Sequence, residues 1–152
     1  MRRMIIYALI LGAALLCPME GTDAGKLHPV ELIYMYKDGQ TVIISTDTGE
    51  EGKGDTTRLA IENLKATTPG VVFLDTAEYL LYNDSAKEEI DQMKYDLKST
   101  VRVCQIKGEV DLREATRYLA THEPSTRLKD LNTTQSKEIL MIEDGKMNLE
   151  EN

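Results

Sequence analysis

The chain has 152 residues, which predicts a single domain. Its 26 acidic and 18 basic residues give a formal net charge of -8 at pH 7, and an excess of this sign repels phosphate backbones and anionic lipid headgroups. The sequence contains no basic stripe with interleaved aromatic residues, so nucleic acid is excluded as the expected partner.

The N-terminus is typical of an export signal. Arg2 and Arg3 precede an apolar run from Met4 to Cys17, which is shorter than the about 18 to 20 residues of a membrane-spanning helix. We therefore expect residues 1-24 to be a signal peptide or an N-terminal membrane anchor, 25-29 to be a spacer, and 30-152 to be a single α/β domain. An exported protein of this kind lies at the extracytoplasmic face of a membrane or is secreted.

The two cysteines lead to different expectations. Cys17 ends the apolar run, so it is either a lipidation site or simply the end of the signal or anchor. Leu16 argues against lipidation, because a lipoprotein signal has a small residue before its cysteine. Cys104 lies in the strand-like segment VRVCQIK and is predicted to be a buried apolar residue rather than a reactive thiol.

The first half of the domain is predicted to be a hairpin, an acidic loop and a helix. Alternating apolar residues predict strands on both sides of an Asp38-Gly39 turn. Three glycines and four acidic residues then predict a mobile, solvated loop over 47-55. The helix follows in TTRLAIENLKAT, with Asp55 as its predicted N-cap.

The second half is predicted to contain five more strands and two more helices. Strands are expected at 71-75, 77-83 and 101-107, and a final hairpin at 139-142 and 147-149. A capping box of Ser85 and Glu88 predicts the best-defined helix, and Asp111 is predicted to cap the last one. The predicted order is β-β-α-β-β-α-β-α-β-β, an α/β or α+β domain with a mixed β-sheet and three helices packed on it.

Asp47-Thr48-Gly49 has the sequence of the catalytic loop of aspartic proteases. Such an enzyme needs two of these aspartates side by side, sharing a proton, and the chain has one copy. The next two residues, Glu50 and Glu51, would raise the cost of ionising such a pair. We therefore interpret the motif as an acidic turn.

The other reactive residues do not form a recognisable catalytic or metal-binding pattern. His28 and His122 are far apart in sequence, with no matching cysteine cluster, so neither a zinc site nor a cofactor is expected. A Cys104-His122 nucleophile pair stays open, without supporting spacing. The acidic loop lacks the spacing of an EF-hand, so it is interpreted as a solvated charge run rather than a Ca²⁺ site.

Residues 30-122 resemble the N-terminal domain of the Ger(x)C family, the lipoprotein subunits of spore germinant receptors. The resemblance rests on the order of hairpin, helix, apolar strand, helix and strand. The matching residues are Ala60, Leu64, Pro69, Val72-Phe73, Tyr79-Leu80-Leu81, Ala86 and Val101-Arg102-Val103-Cys104. The sequence departs from the family at Cys17, which Pro18 follows where the family has tryptophan, and only a short hairpin follows the matched region.

The resemblance implies a reduced, single-domain relative with no catalytic residues. Its expected function is non-enzymatic and membrane-associated, linked to spore germination or sporulation through contact with other membrane or germination proteins. The alternative is a secreted small binding module unrelated to spores. The role of the acidic loop 47-55 is left open, as either a binding site or a linker.

Overall fold

A computed structural model describes residues 27-131, 137-143 and 145-151. The predicted export signal, with Cys17, lies outside the described residues. The strands are β1 (Leu27–Pro29), β2 (Leu32–Asp38), β3 (Thr41–Thr46), β4 (Glu51–Gly54), β5 (Val71–Phe73), β6 (Tyr79–Tyr82), β7 (Arg102–Lys107), β8 (Glu138–Glu143) and β9 (Lys146–Glu151). The α-helices are α1 (Thr57–Thr67), α2 (Ile90–Met93) and α3 (Leu112–Leu119), with 3-10 turns at Leu74–Thr76, Asp84–Glu89 and Leu128–Asp130.

Seven of these strands form one mixed sheet in the order β4-β3-β2-β6-β7-β8-β9. The four central strands, β2, β6, β7 and β8, are parallel, and an antiparallel hairpin partner extends the sheet at each edge. β1 and β5 pair separately as a two-stranded parallel sheet. The predicted mixed sheet with three helices is confirmed, and the predicted element order is approximately matched.

Both faces of the sheet are buried, which explains the apolar run YLLY in β6. One face packs against α1 and the segment 84-93, with Leu64, Leu80 and Ile90 in its core. The other face packs against α3, with Leu81, Ala115 and Leu119 in its core. Central parallel strands that are covered on both sides need apolar residues at successive positions rather than at alternate ones.

The prediction of a mobile loop over 47-55 is wrong in its second half. Glu51–Gly54 is β4, an edge strand paired with β3. Its glycines allow α1 to pack directly on the strand: a Cβ at Gly52 would lie 2.6 Å from Leu64 Cβ, and one at Gly54 would lie 2.6 Å from Ala60 N. The sequence pattern indicated flexibility, whereas these glycines permit close packing.

The helix predicted from Ser85 is also different in the structure. Asp84–Glu89 is a 3-10 turn, and only Ile90–Met93 is α-helical. The Ser85 hydroxyl accepts a hydrogen bond from Lys37 N–H at 2.9 Å, and its cap bond to Glu88 is not formed. The apolar face was nevertheless predicted correctly, because Ala86, Ile90 and Met93 are buried.

The remaining boundaries agree closely with the sequence except at three places, the first being β5, which was predicted to run to residue 75 and ends at Phe73. The turns at Gly39 and before β9, the β6 and β7 strands, and the Asp111 cap all match their predictions, with Asp144 outside the described residues. Thr56, not Asp55, caps α1, because its hydroxyl accepts from Leu59 N–H at 3.3 Å. The predicted spacer 25-29 is in its described part the strand β1.

Candidate functional site

The Asp47-Thr48-Gly49 motif forms the turn between β3 and β4. Gly49 has φ of 97°, a left-handed conformation that favours glycine. Asp47 Oδ1 accepts hydrogen bonds from the backbone N–H groups of Glu31 and Leu32, each at 3.2 Å. Asp47 N–H in turn donates to Leu32 O at 3.1 Å. The motif aspartate therefore clamps the turn onto the start of β2.

Glu50 lies at the centre of a hydrogen-bonded cluster in the same turn. The hydroxyl groups of Thr46, at 2.7 Å, and Thr48 both donate to Glu50 Oε2, and His28 Nδ1 lies 3.0 Å from Oε1. Burial raises the pKa of the Glu50 carboxyl, but the hydrogen bonds from Thr48, Thr46 and its own backbone and the charge of His28 outweigh burial, so the pKa is lowered from 4.5. Glu50 is thus held as a carboxylate, and each of its two oxygens has a partner within the chain.

Helix α3 forms the opposite wall of the site. Asp111 fixes the start of this helix by accepting hydrogen bonds from the N–H groups of Arg113 and Glu114, at 2.9 and 3.1 Å. Arg113 reaches across to the turn, where its Nε donates to Asp47 O at 3.3 Å. Arg117 is one helical turn further along the same face.

Two open clefts lie between the turn and α3, and both include Asp47, Glu50 and Arg113. One has a volume of about 400 Å³ and contacts Val110 and Leu112 at the start of α3. The other has a volume of about 530 Å³ and extends over His28, Glu31 and Arg117. We call the two together the turn-helix groove; its larger half has the volume of a small-ligand site.

The polar groups that line the groove differ in how far they are already engaged. Oxygens of Asp47 and Glu50 accept hydrogen bonds from within the chain. In contrast, neither Arg113 nor Arg117 has a carboxylate within ion-pair distance in the part of the chain that the structure describes. Both side chains are exposed. The groove therefore offers a ligand exposed guanidinium groups that no carboxylate of the described residues occupies.

Cys104 and His122, the other candidate pair, each bond to other groups. Cys104 is fully buried beside α3, and its Sγ donates to Gln105 O or Glu138 O at 3.3 and 3.4 Å. Burial raises the pKa of the thiol to about 12. His122 stacks on Tyr118 with ring centroids 4.3 Å apart, and its Nδ1 contacts Thr121 Oγ1 at 2.9 Å. No hydrogen bond therefore joins Cys104 to His122 as a nucleophile pair in the described residues.

The four acidic residues of the segment 47-55 are Asp47, Glu50, Glu51 and Asp55, and they do not come together as a Ca²⁺ site. Glu51 Oε1 forms an ion pair with Lys53 at 2.9 Å, whereas Asp47 and Glu50 bond as described above. Asp55 lies beyond β4, before the cap of α1. Among the described residues, no group of three or more His, Cys, Asp and Glu side chains is placed to hold a metal ion.

Sequence reasoning identified the acidic turn but missed the partners that make it a groove. Arg113 and Asp47 are 66 positions apart, and His28 was assigned to a spacer. The available signal was the pair of arginines four residues apart on a capped helix, Arg113 and Arg117.

Within residues 27-131, 137-143 and 145-151, no helix is long and apolar enough to cross a membrane. Comparison of the sequence with protein families and with curated proteins, and of the chain with solved structures, finds no match.

Proposed function

We propose that this chain is a non-enzymatic binding domain that acts outside the cytoplasm through protein-protein contact. The observation that carries the proposal is the turn-helix groove, in which Arg113 and Arg117 face open space without a carboxylate partner among the described residues. Arginine is enriched at protein interfaces, because its planar fork binds partner groups with defined geometry.

The state of the chain's nucleophiles supports binding rather than covalent chemistry. The Cys104 thiol is buried, and its raised pKa keeps it protonated at neutral pH. Asp47 and Glu50, the two acidic residues that line both clefts, are held by donors of the chain itself. A general base must present a free acceptor oxygen to the substrate, whereas Asp47 Oδ1 and both oxygens of Glu50 already have partners within the chain.

Crosslinking in the native host tests the contact. A photoreactive amino acid replaces Glu31, an exposed residue that lines the groove, and in the matched control it replaces Glu88, an exposed residue on the other side of the sheet. We expect a crosslinked protein adduct from position 31 and none from position 88. Equal adducts from both positions, or none from position 31, would contradict the proposal.

The proposed place of action is the extracytoplasmic face of the cell or spore membrane, in spore germination or sporulation. Its support is the basic and apolar N-terminus together with the Ger(x)C resemblance. An immunoblot compares membranes of dormant spores with membranes and medium of growing cells of the native host. Enrichment in spore membranes is the expected result.

A second candidate function is a secreted small binding module unrelated to spores. The observation that favours it is the larger half of the groove, whose volume of about 530 Å³ is within the range of small-molecule sites. Detection of the protein only in the medium of growing cells would favour this candidate and remove the link to germination.

A further inference from the structure

We infer that the turn-helix groove binds a single carboxylate of a peptide segment, through the guanidinium groups of Arg113 and Arg117. The inference rests on the proposed binding function and names the chemical group that the groove recognises. Arg113 and Arg117 are four residues apart on α3 and line the same cleft, so one ligand group can contact both of them.

The donors needed for this contact are available. Arg113 uses only its Nε, at 3.3 Å from Asp47 O, and this bond orients its two terminal nitrogens. The Arg117 side chain forms no hydrogen bond or ion pair within the described part of the chain. A guanidinium group binds a carboxylate through two parallel N–H bonds, which gives geometric selectivity that an ammonium group lacks.

Glu31, Asp47 and Glu50 form an acidic wall in the same cleft as the two arginines, and the whole chain carries a net charge of -8. This wall limits the negative charge that a ligand can carry. A phosphate dianion or a run of acidic residues would be repelled by this wall. A peptide with one carboxylate keeps the favourable contact with the arginines and has little further negative charge near the wall.

The carboxylates of Asp47 and Glu50 do not compete with a ligand for the arginines. Glu50 is occupied by Thr46, Thr48 and His28, and Asp47 Oδ1 is occupied by two backbone N–H groups. Glu31, the remaining acidic residue of the larger cleft, is exposed and forms no ion pair with either arginine among the described residues, so it does not occupy their donors.

Titration of the ¹⁵N-labelled full-length chain tests the inference, with the Nε–Hε signals of arginine as the readout. The probes are acetyl-Ala-Ala with a free carboxylate, the same peptide as its amide, acetate, and inorganic phosphate. We expect saturable shifts of the Arg113 and Arg117 signals with the free peptide. Binding of the amide should be weaker by about tenfold or more, the value of one charge-assisted contact.

Variants then assign the site. Arg117→Gln should weaken binding of the free peptide about tenfold. Arg117→Lys should restore only part of the loss, because it keeps the charge but not the fork. Arg58→Gln is the matched control, since Arg58 is an exposed helical arginine on α1, away from the groove. It should bind like the unmodified protein.

Three results would overturn the inference. Equal binding of the amide would show that the carboxylate is not recognised, tighter binding of phosphate would show that the site prefers a polyanion, and equal binding of acetate would show that no peptide is required. The titration needs no cellular partner. Its failure is therefore distinguishable from failure of the crosslinking experiment, which tests the binding function whatever group is recognised.

Discussion

Cys104 shows how the burial of one residue sets its chemistry. The thiol is fully buried, hydrogen-bonded to backbone carbonyls, and has its pKa raised to about 12. Reaction with iodoacetamide requires the thiolate, which at pH 8 is then about one part in ten thousand. We expect a Cys17→Ser variant, in which Cys104 is the remaining cysteine, to resist labelling at pH 8 and to react fully in guanidinium chloride.

Mass spectrometry of the labelled Cys17→Ser protein measures the outcome. Rapid labelling of the folded protein would contradict the predicted burial and would revive a Cys104 nucleophile. A thermal melt of the same sample shows whether the substitution has left the fold intact.

Glu50 makes a pH-dependent contribution to stability. Burial opposes its ionisation, but the hydrogen bonds of Thr48 and Thr46 lower its folded pKa below the ordinary value of 4.5. A group whose folded pKa is lowered stabilises the protein fully above its unfolded pKa, and this stabilisation is lost as the pH falls through the folded pKa. Glu50→Gln should therefore lower the free energy of unfolding at pH 7 by about 1 to 2 kcal/mol, a typical value for charged hydrogen bonds.

Urea denaturation at pH 7 and at a series of lower pH values measures the effect of Glu50→Gln. The difference between variant and parent should shrink as the pH falls through the folded pKa of Glu50, because the parent carboxyl then also becomes neutral. Glu51→Gln is the control, because Glu51 is its neighbour in sequence but has only exposed contacts, an ion pair with Lys53 and a hydrogen bond from the Ser45 hydroxyl at 3.3 Å. A difference that is constant with pH would contradict the assignment.

At the scale of elements, α1 packs so closely on β4 that no side chain fits at Gly52. An alanine Cβ at Gly52 would lie 2.7 Å from Leu64 N and 2.6 Å from Leu64 Cβ, which are closer than real Cβ contacts. Either the helix or the edge strand must then move. We expect Gly52→Ala to lower the free energy of unfolding by about 1 to 3 kcal/mol, the usual cost of overpacking.

Lys53→Ala is the matched control for Gly52→Ala in the same strand. Lys53 is exposed, so its replacement should change stability by about 0.5 kcal/mol or less. Urea denaturation of both variants gives the comparison. Equal stability of Gly52→Ala and the parent would indicate that 47-55 is the mobile loop that the sequence suggested.

Elements could be predicted from the sequence where local signals agree with the final packing. The Asp111 cap is an example, because its carboxylate bonds to N–H groups only two and three residues away. The Ser85 cap failed because its hydroxyl bonds to Lys37, 48 positions away, which no local pattern contains. β4 was missed for a related reason: the helix was predicted, but the contact of its Ala60 and Leu64 with the glycines of β4 arises only when the two elements pack together.

At the scale of the whole molecule, the groove depends on contacts between distant parts of the chain. The acidic turn could be located from its composition, but its walls join through pairs such as Asp47 with Arg113, 66 positions apart. β1 adds a third element, through His28. Sequence patterns predict which residues belong to one element, and the three-dimensional arrangement of the elements decides which charges remain free.

The N-terminal boundary of the folded domain gives the last prediction. Sequence composition placed this boundary at residue 30, whereas β1 already pairs with β5 over Leu27–Pro29, and His28 contacts Glu50 at 3.0 Å. A chain that starts at Val30 loses both interactions. It should melt about 5 °C or more below a chain that starts at Leu27, because a loss of 1 to 2 kcal/mol shifts a domain of this size by that amount.

A third chain separates the two causes. It starts at Leu27 and carries His28→Ala, so it keeps the β1-β5 pairing and loses the contact with Glu50. An intermediate melting temperature is expected, because the backbone pairing and the side-chain contact are independent. Identical melting of all three chains would place the boundary at Val30 after all, and β1 would then contribute nothing to the wall of the groove that His28 lines.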